Sequence, residues 1–141
     1  MELALDKASP DQMLAELRVH CTDLKRTPGL SARLARLEEV QDLPPEQALS
    51  EEGLGEGWTA GEAIAQALYC VRRAPDSFEE AVRLAVNGDG DSNSIGALVG
   101  AILGAWHGLD AIPAGWREEV ERGVPLRQLA GALHAAWRRR G

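Results

Sequence analysis

The sequence predicts an all-α protein, a multi-helix orthogonal bundle around a buried, glycine-striped central helix. Three observations carry that expectation. Apolar residues recur at spacings of three and four along the chain, helix-start signatures precede most of these stretches, and nowhere does the period of two appear that a half-buried strand requires. Gly96, Gly100, Gly104 and Gly108 fall every four residues, with Ala97, Ala101 and Ala105 beside them. That spacing keeps them on one helical face, where a neighbouring backbone can come close. Each helix-interior glycine costs up to about 1 kcal/mol relative to alanine, so the repeat implies a packing requirement.

The elements follow in order. Ser9-Pro10-Asp11-Gln12 has the form of a capping box with proline at the first helical position, and Leu14, Leu17, Cys21 and Leu24 then give an amphipathic stripe. Thr27-Pro28 marks a second start, with Leu30, Leu34 and Leu37 as its apolar face. Pro44-Pro45 ends that helix and opens a short third one. Gly53, Gly55 and Gly57 crowd a loop. Thr59-Ala60-Gly61-Glu62 is a second capping box, Ile64, Ala67, Leu68 and Val71 form the core face after it, and Trp58 is placed to pack back as a staple. Asp76 or Ser77 caps the next helix, whose Phe78, Val82 and Val86 are expected to face inward. The glycine-striped helix follows. A short helix with Trp116 and Val120 comes next, then a last one opened by Pro125, with Leu126, Leu129, Leu133 and Trp137 as its stripe and Arg138 to Arg140 matching its C-terminal dipole.

At 141 residues the chain is long enough for one core of its own. We expect a single all-α domain over 1–141, with a helical packing segment at 1–50, a core at 54–116 and a C-terminal helix at 117–141. Fifteen Lys and Arg against 22 Asp and Glu give a net charge of −7. That opposes the basic footprint of a nucleic-acid or anionic-membrane binder. The apolar run from Ile95 to Trp106 is well short of the ~20 residues that cross a bilayer. Cys21 and Cys70 make no disulfide framework and the first residues lack a signal-peptide pattern, so a reduced, cytoplasmic setting is expected. His20, His107 and His134 lie apart from any carboxylate or cysteine at ligand spacing, and structural or solvent-facing roles are expected for them.

Chemistry concentrates in Asn87-Gly88-Asp89-Gly90-Asp91-Ser92. Residues i and i+2 of an extended or turning segment project to the same side, so Asp89 and Asp91 can converge on one cation, with the Ser92 hydroxyl beside them. Oxygen donors of this kind select Mg2+ or Ca2+ rather than zinc. The plainer reading is that Asp91, Ser92 or Asn93 caps the following helix. A helix-loop-helix calcium loop needs Gly at its sixth position and a bidentate Glu at its twelfth. Counted from Asp89, those positions hold Ser94 and Gly100.

From Leu54 to Trp116 the chain resembles the C-terminal portion of the ADP-ribosylglycohydrolase family, which includes the dinitrogenase-reductase-activating glycohydrolases. The resemblance lies in Gly55-Glu56-Gly57-Trp58, the alanine-rich helix to Cys70, Ser77-Phe78-Glu79-Glu80-Ala81-Val82, Gly88-Asp89-Gly90-Asp91-Ser92, Ile95-Gly96-Ala97, Gly100 to Ala105, Ile112-Pro113 and Trp116. It implies a helical hydrolase in which two Mg2+ ions, or Mn2+ in some members, hold the terminal ribose of ADP-ribose while its glycosidic bond is cleaved. Asp89, Asp91 and Ser92 match the family's second acidic motif and are implied metal ligands. Gly90 stands where Ser, Thr or Ala is more usual.

The family's Thr-Asp-Asp motif and its acid/base carboxylate, both from the N-terminal half, have no counterpart: the chain has no Asp-Asp pair, and Thr22-Asp23 runs into Leu24. Two divalent ions bring a charge of +4 and Asp89 with Asp91 bring −2, so the ligand set is partial. The expectation is therefore the C-terminal half of such an enzyme, its catalytic residue unassigned within this sequence. Activity of the isolated chain is not expected. ADP-ribose or an ADP-ribosylated protein is the expected ligand of the complete enzyme. The alternative is an inactive helical binding or assembly module whose exposed half-core forms a homo-oligomer or receives a complementing N-terminal half.

Overall fold

The computed structural model describes residues 28–139 together with Ser9, Gln12, Ala15, Glu16 and Val19. All regular structure among them is helical. The elements are α1 (Pro28–Val40), α2 (Pro45–Ala48), α3 (Ala60–Arg73), α4 (Phe78–Val86), α5 (Ser92–His107), a 3-10 turn (Leu109–Ala111), α6 (Ala114–Glu119) and α7 (Gly123–Arg138). The chain divides between Ala111 and Ile112 into two compact units.

Local signals placed the helix starts well. The Ser9 amide donates to Gln12 Oε1 at 2.7 Å and the Gln12 amide to Ser9 Oγ at 3.2 Å, so the first capping box is formed. The stripe expected after it, Leu14, Leu17, Cys21 and Leu24, lies outside the described residues. The second box is also reciprocal, with Thr59 Oγ1 accepting from the Glu62 amide at 3.3 Å and Glu62 Oε2 accepting from the Thr59 amide at 3.4 Å. Between the two candidate caps of α4 the structure selects Ser77, whose hydroxyl accepts from the Glu80 amide.

In the first unit α3 is the most enclosed element, because it packs against α1, α4 and α5 together. Every residue from Ala65 to Val71 is buried, so no polar stripe survives there. Leu34, Leu37 and Val40 of α1 close one side, and Phe78, Ala81 and Ala85 of α4 with Ile95, Val99 and Leu103 of α5 close the others. Burying a leucine or isoleucine of this kind contributes about 1.5–3 kcal/mol. Polar ties reinforce the α1–α3 contact: Arg72 bonds Glu38 Oε1 at 3.0 Å and Gln41 Oε1 at 2.5 Å, and the Tyr69 hydroxyl donates to the Leu43 carbonyl at 2.6 Å.

The glycine-striped helix α5 shares the centre, packing on both α3 and α4, but it buries one face only. Ile95, Val99 and Leu103 are enclosed, whereas Ala97 and Ala101 are exposed. The close approach expected at its glycines is confined to one of them. A Cβ on Gly96 would come within 2.8 Å of Val86 Cγ1, but one on Gly100 would meet Phe78 Cζ at an ordinary 3.7 Å. The inward face of α4 is also rotated from the expected one: Ala81 and Ala85 are buried and Val86 is 46% exposed.

In the second unit α6 and α7 pack on each other. The bend between them puts Arg122 at φ 59°, in the left-handed region, so α7 begins at Gly123, two residues before Pro125. The predicted stripe Leu126, Leu129, Leu133 and Trp137 runs along α7 with each side chain more than half exposed. Among the described residues no helix is long and apolar enough to cross a membrane.

Candidate metal centre

The acidic turn joins α4 to α5 and is held from both ends. The Asn87 amide donates to the Arg83 carbonyl and so closes α4, and the Asn87 side chain bonds the same carbonyl at 2.8 Å. At the other end Asp91 is the N-cap of α5, its Oδ1 accepting from the Ser94 amide at 3.3 Å while its carbonyl accepts from the Ile95 amide at 3.2 Å. The plainer sequence reading is therefore realised at Asp91. One N-capping bond occupies one lone pair of a four-site acceptor, so the carboxylate keeps most of its capacity for a cation. Its position at the α5 N-terminus, however, already stabilises its negative charge.

Tertiary structure adds a partner that the sequence pattern did not suggest. The loop at 55–57 lies directly against the turn, and the Glu56 carbonyl accepts from the Asp91 amide at 2.8 Å. Gly90 makes this approach feasible, since a Cβ there would fall far inside contact distance of the Glu56 carbonyl oxygen and carbon. Gly57, at φ 82°, is equally constrained: a Cβ on it would sit 2.8 Å from Ile95 Cδ1. Any residue with a Cβ at position 90 would collide with this seam as it stands. Its signal was present as Gly55-Glu56-Gly57, but only as a loop.

Asp89 is exposed, while Asp91 and Ser92 are half-buried. Asp89 also lines a cleft of about 630 Å³ whose apolar side is Pro45, Leu49 and Leu84 and whose polar side includes Glu46 and Glu80. Trp58, expected as a staple, is instead 68% exposed, with its indole N–H donating to Glu56 Oε2 at 3.2 Å. Gly57, the residue before it, has a positive φ. His107 stands at the opposite end of α5 from the acidic turn, bonded to the Pro75 carbonyl at 2.6 Å and stacked on Trp106.

Two carboxylates and a hydroxyl suit a hard cation in kind. They fall short in number: among the described residues no group of three or more His, Cys, Asp or Glu side chains is placed to hold a metal. Asp89, Asp91 and Ser92 place two carboxylates and a hydroxyl in the turn that leads into α5.

Among the described residues the fold defines the class: an all-helical protein with an acidic turn at the start of α5. The family model for ADP-ribosylglycohydrolase matches residues 1–141, and the chain belongs to that family. It is 29% identical to human ADP-ribosylhydrolase ARH3, over 99% of this chain and 46% of the relative. A protein of Archaeoglobus fulgidus is 34% identical over 89% of this chain and 39% of its own length. The ADP-ribosyl-[dinitrogen reductase] glycohydrolase of Rhodospirillum rubrum is 39% identical over 43% of this chain and 21% of its own. The chain spans about half the length, or less, of the curated relatives it matches. No solved structure matches.

Proposed function

We propose that the chain is the C-terminal, metal-binding half of a hydrolase that cleaves the N- or O-glycosidic bond between ADP-ribose and a modified side chain or related compound. The observation that carries this reading is the turn at 89–92, a pair of aspartates and a serine in the family's motif. It is locked to a second loop by the Asp91–Glu56 bond rather than left as a mobile connection.

Asp89 and Asp91 would be bridging or terminal ligands and Ser92 a hydroxyl ligand to Mg2+, with Mn2+ as the substitute. Bound metal would orient the ribose hydroxyls and stabilise charge developing at the anomeric centre. Within this chain, the Ser94 and Glu56 bonds hold Asp91 in a fixed orientation, and Asp89 meets the open cleft. Two six-coordinate ions need far more donors than three side chains supply. The remaining ligands and the acid/base carboxylate belong to the N-terminal half of the family fold. In a protein containing both halves, Asp91→Asn abolishes Mg2+-dependent release of ADP-ribose; full activity in that variant refutes the role.

The second reading, a helical assembly module without catalysis, draws on α7, where Leu126, Leu129, Leu133 and Trp137 are 54–64% exposed. Apolar surface of that extent commonly marks a contact with another polypeptide. Sedimentation as a clean monomer together with turnover on restoring the N-terminal half would reject it. Association with no Mg2+ affinity in the restored protein would favour it.

A further inference from the structure

Gln66 lies in the middle of α3 and is 2% exposed, surrounded in sequence by Ala63, Ala65, Ala67, Leu68 and Tyr69, all buried. A buried amide is unfavourable unless it is hydrogen-bonded. Here Nε2 donates to the Gly55 carbonyl at 2.5 Å. An apolar residue would fill this core position without that requirement, so the bond itself calls for explanation.

Gly55 adopts φ 91°, and the next carbonyl along the chain, that of Glu56, is the one that accepts the Asp91 amide. The other side of the loop is sealed by Glu62, against whose Cδ a Cβ on Gly55 would press at 2.5 Å. Glu62 is itself fixed by Thr59 and by Arg33 at 2.6 Å. A continuous path of bonds therefore runs from the core of α3 through Gly55 and Glu56 to the backbone of Asp91.

We infer that Gln66 is a positioning residue for the acidic turn: its amide fixes the Gly55 carbonyl, which sets the Glu56 carbonyl and through it the orientation of Asp91. The link to metal binding rests on the function proposed above; the link to Asp91 geometry does not. Gln66→Met keeps the length and helix propensity of the side chain and removes the donor.

The test uses the full chain, observed by amide NMR with and without Mn2+. Gln66→Met should leave the helical circular dichroism intact, displace the Asp91 and Ser92 amide resonances, and speed exchange of the Asp91 amide by roughly tenfold, as a loosened local bond does. Unchanged Asp91 shifts and exchange in a folded Gln66→Met protein overturn the inference. If that variant fails to fold, Gln66→Asn decides. Its amide is one methylene shorter and falls short of the Gly55 carbonyl, so the Asp91 amide should again be displaced and exchange faster. Unchanged Asp91 shifts and exchange in Gln66→Asn overturn it.

Mn2+ broadening of the amides at 89–92 separates the two claims. Broadening that Asp91→Asn removes and Gln66→Met weakens supports both. With no broadening in the wild type, displaced Asp91 resonances in Gln66→Met still support the positioning role, and the metal reading of the isolated chain fails alone.

Discussion

Asp91 commits one carboxylate oxygen to the Ser94 amide, and this decides which substitutions are informative. Asparagine is as good an N-cap as aspartate, whereas alanine at such a position costs about 1 kcal/mol. Asp91→Asn should therefore melt close to the wild type while losing metal affinity, and Asp91→Ala should lose both; thermal unfolding with and without Mg2+ distinguishes them. Cys70 offers a separate test. Burial pushes its thiol up to about 12 from an ordinary value near 9. Between those values the unfolded chain has released the proton and the folded one has kept it, so stability is full below about pH 9 and falls as pH rises. The limiting slope is about 1.4 kcal/mol per pH unit. Denaturant midpoints taken from pH 8 to 11 should show the decline, and Cys70→Ala should reduce its slope. The Tyr69 hydroxyl, also raised chiefly by burial, adds to the same trend.

At the scale of elements, α3 and α5 exchange the emphasis that their sequences suggest. The glycine repeat of α5 reads as a demand for close packing, yet only Gly96 meets a neighbour at close range. Gly100→Ala should accordingly be accepted against Phe78 and raise stability by roughly 0.5–1 kcal/mol, the propensity difference alone. Gly90→Ala should destabilise by more than that, because its Cβ meets backbone rather than a side chain that can move. Chemical denaturation of the two variants side by side checks both signs. The caps at Ser9 and Thr59 were legible because each depends on two residues three apart, whereas Asp76 and Ser77 competed until the structure chose Ser77. The inward face of α4 was not legible, since Val82 and Val86 match the period as well as Ala81 and Ala85 do. The choice between them is made where α4 packs on α3 and α5.

For the whole molecule, the metal centre proposed above, with further ligands from an N-terminal half, makes a quantitative prediction. Three donor side chains hold a divalent ion weakly, so the isolated chain should bind Mg2+ only in the millimolar range or above. A protein that restores the N-terminal ligands should bind at least about a hundredfold more tightly, as each added carboxylate raises affinity; calorimetric titration of the two species measures the difference. Binding should also raise the melting temperature of the restored protein in a Mg2+-dependent manner.

The sequence by itself determined the helical class, the capping boxes at Ser9 and Thr59, the family resemblance and the identity of Asp89, Asp91 and Ser92 as the oxygen-bearing turn. All of these are read over a few neighbouring residues or an ordered set of short motifs. Tertiary structure alone decided that α3 is the enclosed helix, that Trp58 faces outward, that position 90 has no room for a Cβ beside the Glu56 carbonyl, and that a glutamine in the core reaches the loop behind the turn. Each of those facts depends on distances between segments far apart in the chain, fixed only when the helices pack, and no local periodicity encodes them.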